Sequence, residues 1–77
     1  MVHAFVMVKT GSGESEGVVE AVRGLSTVLE ASIVAGDFDV VAEIEAGEVY
    51  DVLQTVSGDV GGLEGVLDTK TYVSMGD

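Results

Sequence analysis

Ile33-Val34-Ala35-Gly36-Asp37-Phe38-Asp39-Val40-Val41-Ala42 consists of two apolar runs around a Gly-Asp-Phe-Asp turn. Glycine at the first central position of a two-residue loop suits a type II′ β-hairpin. With Gly36-Asp37 as that loop, Ile33 faces Val40, Ala31 faces Ala42 and Leu29 faces Ile44. The other face then pairs Ser32 with Val41, Glu30 with Glu43 and Val28 with Glu45. One face is apolar and the other mostly polar, as a half-buried sheet requires. A three-residue loop mixes the two sets, so an even loop length is expected. A tight acidic turn at a sheet edge is also a place where a small ligand can be read.

Outward from the hairpin, the chain divides into six elements. Residues 2–8 are almost continuously apolar and read as a strand buried on both faces. In residues 14–24, Val18, Val22 and Leu25 recur at helical spacing with Ala21 alongside, and Arg23 falls in the last turn before Gly24. The hairpin strands cover residues 27–35 and 38–46. A second helix is predicted over 48–56, with Val49, Val52, Leu53 and Val56 as its stripe. Residues 57–62 read as a loop and 66–75 as the last strand. The order β-α-β-β-α-β is two β-α-β halves joined at the central hairpin. Right-handed crossovers make it an α+β ferredoxin-like fold: a four-stranded antiparallel sheet, order 4-1-3-2, with two helices on one face.

Composition narrows the function. The 77 residues form one domain, 1–77, with a marginal core of its own. There is no cysteine, which removes disulfides, thiolate chemistry and Cys-type zinc sites together. No apolar run approaches the length of a membrane span and the start is no signal peptide, so a soluble cytoplasmic protein is expected. Fourteen acidic residues face three basic ones, Lys9, Arg23 and Lys70, and the pI is near 4.1. Three cations cannot form a phosphate-binding stripe, so direct nucleic-acid binding is not expected. Acid spread through helices, strands and loops suits a surface solvated at high salt, where screening removes self-repulsion. In this the chain resembles haloarchaeal proteins.

Helices on one face leave the other sheet face open. Yet the first strand has Phe5 and Met7 opposite Val2, Ala4, Val6 and Val8, and the last places Leu67, Val73 and Met75 opposite Val66 and Tyr72. A monomer would expose a contiguous apolar patch, which soluble proteins avoid. Face-to-face pairing of two sheets buries it, so a homodimer of the dimeric α/β-barrel type is the expected minimum unit.

These residues carry a family resemblance. The chain resembles the C-terminal effector-binding (RAM) domain of the Lrp/AsnC transcription regulators from Val2 to about Met75. Its anchors are Ala4-Phe5-Val6-Met7-Val8-Lys9-Thr10, the stretch from Val34 to Ala42, and Val66-Leu67-Asp68-Thr69-Lys70-Thr71-Tyr72-Val73. The Gly-x-aromatic-Asp turn is the most specific of them. With Met1 just before the first strand, the chain is similar to stand-alone members without a helix-turn-helix. The resemblance implies sheet-to-sheet dimers, assembly into rings of dimers, and hetero-assembly with full-length regulators. It also implies an amino acid or related effector bound between dimers, close to the hairpin turn.

The chemistry of such a ligand points to particular residues. A carboxylate needs N–H donors and an ammonium needs acceptor oxygens. Gly36 permits close backbone approach, Asp37 and Asp39 can accept from an ammonium, and Phe38 lies between them. Thr69 and Thr71 face the same way in the last strand and can hydrogen-bond polar ligand groups. Each has a plain structural alternative: Gly36 in the turn alone, Asp39 bonding nearby backbone, Phe38 packing, Asp37 solvated.

Other constellations are weaker. His3 is the single histidine and reads as a surface or strand-end residue rather than a metal ligand. The acids match no EF-hand spacing, and the glycine-rich loops lack a P-loop lysine pattern. No serine has a histidine positioned as its base. No cofactor or metal is expected. The competing function class is a cofactor-free monooxygenase or isomerase of the same fold. Such enzymes hold polar side chains in a pocket between helices and sheet, for which this chain offers His3, Tyr50 and Tyr72, with no Trp or Asn.

Overall fold

The computed structural model describes residues 1–76. Asp77, the last residue of the expected domain, lies outside the described residues. The strands are β1 (Val2–Thr10), β2 (Val28–Ile33), β3 (Val40–Ala46) and β4 (Val66–Val73). The helices are α1 (Ser15–Arg23) and α2 (Val49–Gln54), the latter running into a π-helical turn, Thr55–Val60. The sheet order is β2-β3-β1-β4 and every pairing is antiparallel, as the β-α-β-β-α-β reading requires.

One sheet face and both helices enclose the core. Ala4, Val6 and Val8 alternate inward from β1, as do Val40, Ala42, Ile44 and Ala46 from β3. Val18, Val19 and Val22 of α1 and Val52 of α2 meet them. The α1 stripe therefore uses Val19 where Ala21 was expected. On α2, Val49 and Leu53 stay about half exposed, whereas Val52, Val56 and Val60 are buried. These three recur every fourth residue. The widened turn, closed by a 2.7 Å bond from the Gly61 N–H to the Val56 carbonyl, carries the stripe on to Val60. Residues 57–62, expected as loop, are thus partly helical because Val60 has a core position to fill.

The hairpin keeps its inferred parity but not its inferred turn. Ile33 pairs with Val40, Ser32 with Val41, Ala31 with Ala42 and Glu30 with Glu43. A 2.8 Å bond from the Val34 N–H to the Asp39 carbonyl closes a longer loop, and Gly36 does not have positive φ, so the type II′ reading fails. The pairs Leu29–Ile44 and Val28–Glu45 do not form either. A register shift at Leu29 sets Val28 opposite Ile44 and leaves Leu29 more than half exposed. A second shift near the start of β4 puts Val66 opposite Thr10 and leaves Leu67 exposed, so Val66 joins Val73 on the helix side.

The opposite sheet face is uncovered in one chain, correcting the expectation of a first strand buried on both sides. Phe5 is 43% exposed and Met7 partly so. Phe5 pairs across β1–β4 with Tyr72, and Met7 lies between Val41 and Lys70. No helix among the described residues is long and apolar enough to cross a membrane.

Candidate functional site

The turn is held by one residue acting through three groups. The Asp39 N–H donates to the Val8 carbonyl at 2.9 Å and its carbonyl accepts from Val34. Its carboxylate accepts a 2.8 Å bond from the Thr10 N–H. Asp39 therefore braces the turn against the end of β1, the structural alternative weighed for it. Beside it the Lys9 ammonium donates to the Asp37 carbonyl at 2.9 Å, and the Lys70 ammonium sits 5.9 Å from the Phe38 ring centroid.

Gly36 and Asp37 are exposed, and Phe38 and Asp39 partly buried. Thr69 and Thr71 are also partly buried, opposite Val8 and Val6 on the helix side of β4. Within one chain, β1 separates them from the turn. Lys70 is on β4 too, but it lies on the open face opposite Met7 and its long side chain reaches Phe38, whereas Thr69 and Thr71 on either side of it face the helices. The lysines were not singled out from sequence. A usable signal existed: they are the only lysines, and each sits in a strand that neighbours the other in the order inferred.

Two grooves, of about 350 and 390 Å³, follow the β2 edge beside Arg23 and the α2 end beside Gly47 and Gln54. Neither includes residues 36–39. His3 lies on β1 with its Nε2 3.1 Å from the Glu45 carboxylate and 3.8 Å from that of Glu43. Among the described residues no group of three or more His, Asp or Glu could hold a metal ion. Tyr50 and Tyr72 are both more than half exposed, while Val6, Val8, Ile44 and Val52 fill the space between helices and sheet. His3, Tyr50 and Tyr72 line neither groove.

A family model described as the Lrp/AsnC ligand binding domain matches residues 3–77. The chain belongs to that family. Solved structures agree with this Lrp/AsnC domain in fold. TTHA0845 from Thermus thermophilus is 28% identical, with a TM-score of 0.96 over 100% of this chain and 96% of that one. Hypothetical protein PHS023 from Pyrococcus horikoshii is 25% identical, with a TM-score of 0.90 over 100% and 93%. The transcriptional regulator NMB0573 from Neisseria meningitidis, solved as a complex with L-Met, is 17% identical with a TM-score of 0.87. This chain is covered there to 99% and spans 51% of the regulator. No functionally curated protein matched the sequence.

Proposed function

We propose that this Lrp/AsnC domain is a non-catalytic amino-acid-sensing and oligomerisation module of transcriptional regulation. The effector binds at Gly36, Asp37, Phe38 and Asp39, with Thr69 and Thr71 supplied across a cleft between copies. The observation that carries this reading is a turn braced by Asp39 against β1 with Gly36 and Asp37 left solvent-facing on one chain. A ligand seated there needs a second wall, and another copy provides it. The homodimer forms through the open sheet face, burying Phe5, Met7, Val41 and Tyr72. DNA is not read by this domain, whose three basic residues include two at the turn. Regulation runs instead through hetero-assembly with full-length Lrp/AsnC regulators. The L-Met in the Neisseria relative makes methionine a first compound to try.

The test is light scattering at low and molar salt, followed by a thermal-shift screen of the twenty L-amino acids. A dimer or a multiple of dimers is expected. At about a hundredfold excess over Kd an effector adds roughly 2.7 kcal/mol, which is about 10 °C or more for a domain of this size. A stable monomer that no amino acid shifts refutes the proposal.

A further inference from the structure

We propose that the open sheet face accepts a second copy of this chain in one orientation, selected by charge. The acidic β2–β3 half of each copy lies over the β1–β4 half of the other, and Glu43 pairs with the partner's Lys70. This rests on the sheet face being the dimer contact and adds how the two copies are set against each other, and by which residues.

The first observation is a division of that face. Alternation puts Glu30, Glu43 and Glu45 on the open side of β2 and β3. On β1 and β4 the same side carries Lys9 and Lys70, one acid in Asp68, and the apolar Phe5, Met7 and Tyr72. Two of the three cations in the chain therefore share one half of one face, while three carboxylates crowd the other half.

The second observation is which of these charges are free. The His3 Nε2 is 3.1 Å from the Glu45 carboxylate but 3.8 Å from that of Glu43, and Glu43 also has Glu30 directly opposite. Among the described residues neither lysine is in an ion pair. Lys9 donates to a neutral carbonyl and Lys70 lies over the Phe38 ring. Asp68, opposite Lys9, accepts from the Thr69 N–H. Each copy thus holds a poorly compensated carboxylate and an unpaired ammonium on the same face.

Symmetry turns this division into an orientation. A two-fold axis that stacks two copies of one face lies in the plane between them. Run across the strands, it sets β2–β3 on β2–β3 and presses Glu30, Glu43 and Glu45 of both copies together. Like charges so placed cost several kcal/mol. Run along the strands, it sets β2–β3 over the partner's β1–β4, so acids meet lysines and each Glu43–Lys70 contact occurs twice. Glu43 is opposite Phe5 and Lys70 opposite Met7, one step apart on the same side of β1. The flexible four-carbon stem of lysine spans that offset.

The experiment measures self-association of Glu43→Lys, Lys70→Glu and the chain carrying both, by sedimentation equilibrium in dilute buffer, with folding checked by melting curves. Each single variant sets like charges at both contacts, and its dimer Kd is expected to rise about tenfold or more. The double variant reverses both pairs and recovers wild-type association. An equimolar mixture of the two single variants forms a heterodimer with both pairs restored. In molar salt, with screening over about 3 Å, the differences shrink. Net charge alone predicts the opposite for Glu43→Lys, which is less negative than the wild-type −11 and would associate more tightly. Tighter or unchanged association of Glu43→Lys, or a double variant as weak as the single ones, overturns the orientation. If the wild-type dimer is still broken by Phe5→Asp, the sheet-face contact survives that result. A monomeric wild type removes both.

Discussion

The carboxylate of Asp39 accepts the backbone N–H of Thr10 at 2.8 Å, joining the hairpin turn to the last residue of β1 across 29 positions of sequence. Beyond Val8 the ladder between β1 and β3 ends, and this bond takes over from it. Asp39→Ala leaves a partly buried N–H without its partner, at a cost of about 1–3 kcal/mol. Asp39→Asn keeps an acceptor oxygen and loses less. Urea denaturation of both variants checks the order.

No steric demand of this fold requires glycine at Gly36: its φ is not positive and an added Cβ meets nothing within 4 Å. Gly36→Ala is therefore neutral, or stabilising by up to about 1 kcal/mol through the unfolded chain. Gly65 is the opposite case. Its φ is +95°, an added Cβ falls 3.0 Å from the Glu14 Cβ, and its carbonyl accepts the Gly11 N–H. Gly65→Ala loses more than about 1 kcal/mol. Parallel melting curves of the two variants make the comparison.

Phe5 and Tyr72 are cross-strand partners on the uncovered face, 43% and 57% exposed. A carboxylate in a buried sheet-to-sheet contact costs several kcal/mol of desolvation, and position 5 also stands opposite Glu43. Phe5→Asp is expected to reduce the assembly to monomers in light scattering. Leu53→Asp, at a comparably exposed position on α2, leaves the mass unchanged. Equal effects of the two substitutions remove the sheet face as the dimer contact.

Glu30 and Glu43 stand directly opposite each other between β2 and β3. Like charges in that arrangement are destabilising, by roughly 0.2–1 kcal/mol on the scale of cross-strand pairs. Glu30→Gln should raise stability by that amount in dilute buffer. In molar salt, with a screening length of about 3 Å, the gain disappears. Chemical denaturation at the two salt concentrations reads the difference.

Strand order and the inward face of the sheet were legible from alternation. Ala4, Val6 and Val8 against Val40, Ala42 and Ile44 leave one burial pattern that satisfies both strands, and a one-residue slip would expose it. The even loop parity followed from the same constraint. The turn type did not, because a longer even loop preserves every pairing near the turn. The helix stripes were half legible: Val18, Val22 and Val52 are buried, but Val49 and Leu53 had the same periodicity and no partner to cover them.

Local sequence specified what depends on local periodicity: the kind of each element, its approximate span, and which strand face is apolar. Those preferences act over a few residues and survive most rearrangements elsewhere. The shifts at Leu29 and near Leu67, the π-helical turn that buries Val60, and the use of Asp39 depend on partners distant in the chain. Such contacts exist only once the strands are docked, and their geometry comes from packing rather than propensity. The same docking brings Lys9 and Lys70 to one turn, which no window of either strand contains.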